Sequence, residues 1–392
     1  MRVLNLSLDR SALEAGSAVQ TRLLALADRV PPEPTAEGEK VGGITVFVPA
    51  GKDEVQKPSE HLTVYAFGGP KVLQLWKMWR EGRRILSGGT TPALQGSGTP
   101  FIKGDRGRYD LVTVQDAYFL GFLAIKLGKK FSVPVEVQIH GFEKRVGGRA
   151  RLAKFVLAHA TKIRVVSIRL QKELYSIFHI PYSRIYVLPV VTQVEASERI
   201  QKRKTVPYPF TFLTVGRLVP VKNIGLQIRA FAEVAKLIPH IRLRIVGDGP
   251  ERAHLELEAR RLKLEASVLF EGEQKEVGKY YEEADAFLLT SDYEGWGRVV
   301  LEASAYHLPI IMTDVGLARE VIVNEESGLV IPVGDEEELR RAMKDLLDKP
   351  ELRLRLGEGA YKAFRALPSK EEQIEKQVTE WSSLRACSES NA

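Results

Sequence analysis

Cysteine is almost missing from this sequence: Cys387 is the only thiol in 392 residues and lies in a polar tail. No disulfide can form within the chain, and a reducing compartment is expected. Long apolar runs are missing too. No 18-residue apolar stretch occurs, and the apolar run within Met1–Arg10 is too short for a signal peptide, so a soluble cytoplasmic protein is expected. There is no Asp-x-Asp pair and no histidine/cysteine cluster at ligand spacing, so nothing here calls for a metal ion. Low-complexity tracts are absent, and the only repetition is a loose alternation of strand and helix patterns.

What is present suffices for large cores: 44% of the residues are hydrophobic, and the length suggests two or three domains. Net charge is +7, but it is unevenly placed. Residues 1–200 hold 29 lysines and arginines against 18 acids, whereas the remainder holds 28 against 32. A basic half suits an anionic partner such as lipid headgroups, a lipid pyrophosphate or nucleic acid; a merely solvated basic surface is the alternative.

Short apolar runs alternate with helical patterns throughout, which predicts an α/β chain with two mainly parallel sheets. Strands are expected at Val3–Leu8, Ile44–Val48, Leu62–Phe67, Leu111–Val114, Val135–Ile139, Ile163–Val166 and Ile185–Leu188. A second set is expected at Phe210–Gly216, Leu243–Val246, Val268–Phe270, Ala286–Leu289, Ile310–Thr313 and Leu329–Val333. Residues 191–209 lack periodicity and carry Pro207 and Pro209, which reads as a linker. The expected organisation is a first Rossmann-like domain over 1–190, that linker, a second over 210–368, and a C-terminal helix and tail over 369–392.

One strand-to-helix junction concentrates chemistry. In Ser291-Asp-Tyr-Glu-Gly-Trp-Gly-Arg298, Glu294 lies on the loop, Glu302 follows on the helix from Arg298, and Gly295 and Gly297 allow close backbone approach to a ligand. Free N–H groups at the helix start favour an anion there. Read without further context, Glu294 is equally a solvated loop acid and Glu302 a partner of Arg298 four residues earlier. Other segments add to the pattern. Gly216-Arg-Leu-Val-Pro-Val-Lys-Asn223 puts two cations beside a helix start, with Asn223 as its expected cap. Val246-Gly-Asp-Gly-Pro-Glu251 resembles a dinucleotide turn but has Arg252 where a small residue is needed, which disfavours NAD.

Together with Phe270–Glu273, Asp314–Ile322 and Gly328–Gly334, these segments resemble the retaining glycosyltransferases of family 4, with the GT-B fold. The resemblance is close over about residues 210–365 and implies two Rossmann-like domains facing across a cleft, the C-terminal helix crossing back onto the first. It also implies sugar transfer from a UDP-, GDP- or ADP-sugar to a glycan or lipid-linked hydroxyl acceptor, without metal or other cofactor and without specific nucleic-acid binding. Arg217 and Lys222 would hold the donor pyrophosphate, Glu294 the donor sugar and Glu302 the nucleotide ribose, with Gly295, Trp296 and Gly297 lining the donor. In the first half, Gly16 of Glu14-Ala-Gly-Ser17 matches a glycine-rich donor loop whose second glycine is Ser17 here, and His140 matches a histidine that contacts the donor sugar. Glu143 faces the acceptor or is a solvated helix-start acid. A GT-B-fold sugar-nucleotide epimerase and a non-catalytic nucleotide- or polyanion-binding protein are the competing functions.

A final stretch bears on location. Lys71–Arg84 sets Val72, Leu75, Trp76 and Trp79 at helical spacing among Lys71, Lys77, Arg80, Arg83 and Arg84, with further cations at Lys126, Lys129, Lys130, Lys144, Arg145 and Arg149. This suits peripheral docking at the inner face of an anionic membrane. An ordinary helix with its tryptophans in the core is the alternative.

Overall fold

Runs of β-branched and leucine residues, each four to seven long, form buried parallel strands because helices cover both faces of the sheets they build. The computed structural model describes residues 1–31, 33, 34, 40–87, 109–141, 147–190 and 209–389. The linker up to residue 208, and Glu143, Lys144 and Arg145, lie outside them. The chain divides into Met1–Pro189 with Ser369–Ala392, and Val190–Pro368.

The first unit contains strands β1 (Arg2–Leu6), β2 (Glu33–Pro34), β3 (Lys40–Val41), β4 (Gly43–Pro49), β5 (Glu54–Ser59), β6 (Leu62–Phe67), β7 (Leu111–Val114), β8 (Val135–Ile139), β9 (Lys162–Val165) and β10 (Ile185–Val187). Its helices are α1 (Ala18–Ala27), α2 (Lys71–Leu86), α3 (Phe119–Phe131), α4 (Gly148–His159) and α5 (Ile168–Phe178). Eight strands form one sheet in the order β10-β9-β8-β7-β1-β4-β6-β5, and β2 and β3 pair separately. All neighbours in the sheet run parallel except β5, an antiparallel edge strand on β6. That strand, Glu-Val-Gln-Lys-Pro-Ser, has no apolar run to announce it.

The second unit contains β11 (Phe210–Val215), β12 (Ile241–Val246), β13 (Val268–Gly272), β14 (Ala286–Leu289), β15 (Ile310–Thr313) and β16 (Leu329–Ile331). Between and after them run α6 (Ile224–Leu237), α7 (Arg252–Arg261), α8 (Gly278–Glu283), α9 (Arg298–Ala305), α10 (Glu336–Asp348) and α11 (Pro350–Arg365). The parallel order is β13-β12-β11-β14-β15-β16. Phe212 and Phe231 meet edge to face at 6.5 Å in its core, among Leu243, Ile245 and Leu288. Five strands (β6, β7, β8, β14 and β15) begin and end where the sequence places them.

Helix α12 (Lys370–Glu389) belongs to the first unit. Its Ile374, Trp381 and Leu384 share a core with Leu23 and Leu26 of α1 and Val3, Val46 and Val64 of the sheet. Trp381 is fully buried, and its indole N–H donates to Glu136 on β8 at 3.0 Å. That carboxylate also accepts from Tyr186 at 2.5 Å and Gln138 at 2.7 Å, so a fully buried charge is satisfied by three donors. Burial together with the neighbouring Glu136 charge pushes the Tyr186 hydroxyl well above its usual range, keeping it a donor. Trp381→Ala removes the largest fully buried side chain and one of those donors, and should cost about 3–5 kcal/mol of stability. Urea denaturation checks this; a loss below about 1 kcal/mol would show that α12 is not anchored through this residue.

Candidate functional site

In the second unit the chain leaves β11 towards β12 and β13, then returns to the opposite side of β11 with β14. The loops at the carboxyl ends of β11 and β14 therefore open side by side, which is where open α/β sheets take ligands. Hydrogen bonds clasp the two loops together. The Thr290 hydroxyl lies 3.2 Å from the Lys222 carbonyl and 3.0 Å from that of Asn223, and Gln227 donates to it at 2.8 Å. The Asp292 N–H donates to the Val221 carbonyl at 2.8 Å, and the Asn223 side-chain amide to Asp292 at 2.9 Å. Asn223 therefore does not cap α6 as expected: it sits at the N-cap position with φ 48 and makes no side-chain capping bond, because its amide is spent on the other loop.

This clasp brings Lys222 and Glu294 together, with Nζ 2.5 Å from Oε1. The Ser291 hydroxyl donates to the same oxygen at 2.7 Å. Glu294 is thus not a solvated loop acid; its side chain is 12% exposed and that of Lys222 23%. Both bonds use Oε1, and among the described residues Oε2 takes none, so one carboxylate oxygen is held by the protein and the other is not. Arg217 lies exposed on the same loop as Lys222. Gly295 is half-buried and Trp296 buried, the latter with its indole N–H unpaired among the described residues.

Backbone geometry explains the glycines around Glu294. Gly297 precedes α9 at φ 92, a left-handed conformation that side chains resist. Gly316, at φ 55, lets a second loop brace the first, since a Cβ there would stand 2.6 Å from the Trp296 carbonyl oxygen and 3.0 Å from Glu294 Cβ. The adjacent Leu317 N–H donates to that carbonyl at 3.0 Å.

Glu302 faces two partners. The Tyr281 hydroxyl donates to Oε2 at 2.9 Å, and Arg298 Nη2 stands 3.9 Å from Oε1, so the intrahelical pairing with Arg298 is the looser contact. Burial raises the Glu302 pKa, while the Tyr281 hydrogen bond and the Arg298 charge oppose the rise. Tyr281 is itself fixed by stacking on Tyr306, with centroids 5.4 Å apart. Nothing in the sequence singles out Tyr281, because its partner lies 21 residues away on another element.

Other expected contributors are partly committed elsewhere. Glu271, in the segment Phe270–Glu273, is ion-paired to Arg244 at 2.9 Å. Arg252 bridges Asp248 at 3.0 Å and Glu256 at 2.9 Å, occupying the place of a dinucleotide turn's small residue. In the first unit, Gly16 adopts φ 78 in an exposed turn after β1. Ser17, standing where the resemblance implies a glycine, caps α1 by accepting from the Gln20 N–H at 3.1 Å. His140 follows β8 at the carboxyl edge of its sheet. Desolvation by the surrounding protein, then the charges of Arg164 and Arg22, hold its pKa below the usual imidazole range and leave it neutral at pH 7.

Residues 196–363 match the sequence profile of the family described as Glycosyl transferases group 1. That match is confined to less than half of the chain, within the second unit, and is a similarity to that family. It is 30% identical over 199 residues to the N-acetyl-alpha-D-glucosaminyl L-malate synthase of Bacillus anthracis, covering 50% of this chain and 51% of that protein. Over 142 residues it is 33% identical to the N-acetylgalactosamine-N,N'-diacetylbacillosaminyl-diphospho-undecaprenol 4-alpha-N-acetylgalactosaminyltransferase of Campylobacter jejuni, covering 36% of this chain and 38% of that one. The chain spans about half, or less, of the length of such curated relatives. Among solved structures, the sucrose-phosphate synthase of Thermosynechococcus elongatus resembles it with a TM-score of 0.75 at 20% identity, covering 99% of this chain and all of the other. The chain thus has the expected GT-B fold.

The Tyr281 contact makes a prediction independent of any ligand. Glu302 should titrate above the ordinary glutamate range, and Tyr281→Phe, which removes a bond favouring the charged form, should move that titration to still higher pH. Carboxyl-carbon NMR, with Glu302→Gln to assign the resonance, reads this directly. An unchanged titration in Tyr281→Phe would show that the hydroxyl does not hold the carboxylate.

Proposed function

We propose that this protein is a retaining, metal-independent glycosyltransferase that moves a hexosyl group from a nucleoside diphosphate sugar to a hydroxyl acceptor in glycolipid, lipopolysaccharide or exopolysaccharide synthesis. The observation that carries this reading is the meeting of Lys222, Ser291 and Glu294 where the strand order reverses. It supplies a cation for a leaving diphosphate and a fixed carboxylate for sugar hydroxyls within one side-chain contact.

Breaking the bond between the anomeric carbon and the diphosphate oxygen sends the electron pair to the leaving group. Arg217, Lys222 and the first N–H groups of α9 stabilise that charge where it develops. Glu294 accepts from hydroxyls of the donor sugar through Oε2, and Glu302 accepts from the ribose. The resemblance in sequence assigns His140 and Gly16 to the donor as well, with neutral His140 as a hydrogen-bonding group rather than a second cation. The acceptor hydroxyl forms the new bond on the face the diphosphate leaves, giving up its proton there, so the anomeric configuration is kept. Retention and the paired-glutamate roles rest on the resemblance in sequence; the Campylobacter relative's name supports a lipid-linked acceptor.

A thermal-shift screen of UDP-, GDP- and ADP-sugars identifies the donor, because a ligand stabilises the state it binds. With that donor, Arg217→Ala and Lys222→Ala should each lower turnover about 10²-fold with the fold intact. The lysine variant should suffer more, since it also releases Glu294 from its partner. Wild-type kinetics in both variants would remove the phosphate assignment. Donor turnover that needs no acceptor and changes only the sugar's configuration would replace transfer by epimerisation.

A further inference from the structure

Helices α2, α3 and α4 lie side by side in the first unit, and their outward faces are uniformly cationic. An ideal Cβ on Gly82 of α2 would stand 2.8 Å from the Leu127 side chain of α3, and Phe122 of α3 meets Phe155 of α4 with centroids 5.6 Å apart. The three helices carry eleven lysines and arginines against one acid, Glu81, which is buried and spent on Arg84. Lys77 is also neutralised, by Asp53 at 2.6 Å. Arg80, Arg83, Lys126 and Lys129 instead lie over aromatic rings, those of Trp76, Trp79, Phe122 and Phe155, at 4.8–5.9 Å.

The same face exposes large apolar side chains that the core does not use. The buried side of α2 is Gln74, Met78, Glu81, Gly82, Ile85 and Leu86, so the reading that both its tryptophans point into the core fails for Trp76. Val72 is 80% exposed, Trp76 51% and Phe119 56%; Leu75 and Trp79, expected on the same stripe, are half-buried. Exposed Val72 and Trp76 lie in the first two turns of α2 and Phe119 at the start of α3, both of which begin at the carboxyl edge of the sheet; Lys71 opens α2, and the other cations follow further along both helices. Gly16 and His140 stand at that same edge.

We propose that this three-helix face docks the protein on an anionic lipid bilayer. The apolar first turns enter the interfacial layer and the arginines and lysines beyond them meet phosphate headgroups, an order of groups that suits a membrane surface. Charge complementarity demands an anionic partner, and exposed Val72 and Trp76 at one end favour hydrocarbon over a nucleic acid, which would reward cations along the whole face. Among the described residues no helix is long and apolar enough to cross a membrane, so this face attaches from outside the bilayer. Given the reading of the protein as a glycosyltransferase, docking presents the edge with His140 to a lipid-borne acceptor; the docking itself does not depend on that reading.

The full chain is mixed with vesicles of phosphatidylcholine alone or with phosphatidylglycerol, and binding is read by sedimentation and by the blue shift of tryptophan emission. Binding should require the anionic lipid, weaken steeply as salt rises, and shift emission in wild type but not in Trp76→Phe. Reversing Arg80, Arg83 and Lys126 to Glu should lower partitioning at least about 100-fold. Thermal denaturation and turnover of a water-soluble acceptor should stay as in wild type, which separates lost docking from lost folding or lost chemistry. Equal binding to neutral vesicles, or undiminished binding by the triple variant, would overturn the proposal. Tighter binding to a DNA or RNA oligonucleotide than to anionic vesicles would overturn it too.

Discussion

The reversal of strand order beside β11 is the constraint on which the candidate site depends. A parallel sheet that grows first to one side of its initial strand and then to the other must leave two carboxyl-end loops adjacent and uncovered by a crossover helix. The sequence fills that gap with polar groups that can only be satisfied across it: Thr290 against two carbonyls, Asp292 against Val221 and Asn223, and Lys222 against Glu294. Each contact would be modest alone, yet all lie between the same two loops. The pair of charges is therefore positioned by backbone topology and needs no long side chain to search for its partner.

The first unit solves the opposite problem, a charge inside its core. Glu136 is on a fully buried strand otherwise apolar but for Gln138, and it is kept there by donors from β8, β10 and α12. Arg164 extends the same network to Gln138 and Gln377 and to the carbonyls at the end of β10. One buried polar cluster thus joins the last helix of the chain to the middle of the first sheet, and desolvation by the same surroundings contributes to keeping His140 neutral. Removing either member of such a network leaves an unpaired group in low dielectric, so its parts stand or fall together.

Most strands were legible because a fully buried parallel strand tends to be an apolar run, as at Ala286–Leu289. β5 escaped because an edge strand needs only partial burial: Val55 and Lys57 are exposed while Glu54 and Gln56 between them are half-buried. Glu294 and Lys222 were legible through their motifs, but their contact was not, since spacing along the chain does not state which loops a strand order brings together. The same limit hid Tyr281 from Glu302 and turned Asn223 from a cap into a clasp. The helix at Lys71–Arg84 had the reverse ambiguity: its periodicity fixed a stripe, and only tertiary burial could choose between Met78 and Trp76 as the inward side.

Titration calorimetry of the nucleoside diphosphate and of the intact nucleotide sugar against wild type, Glu294→Gln and Glu302→Gln tests the division of labour at the site most directly. The account predicts that Glu302→Gln weakens the free nucleotide, whereas Glu294→Gln binds the nucleotide like wild type but loses the extra affinity the sugar confers. If both variants bind both ligands as wild type does, Glu294 and Glu302 are not ligand groups, and the meeting of Lys222 with Glu294 is only a structural ion pair.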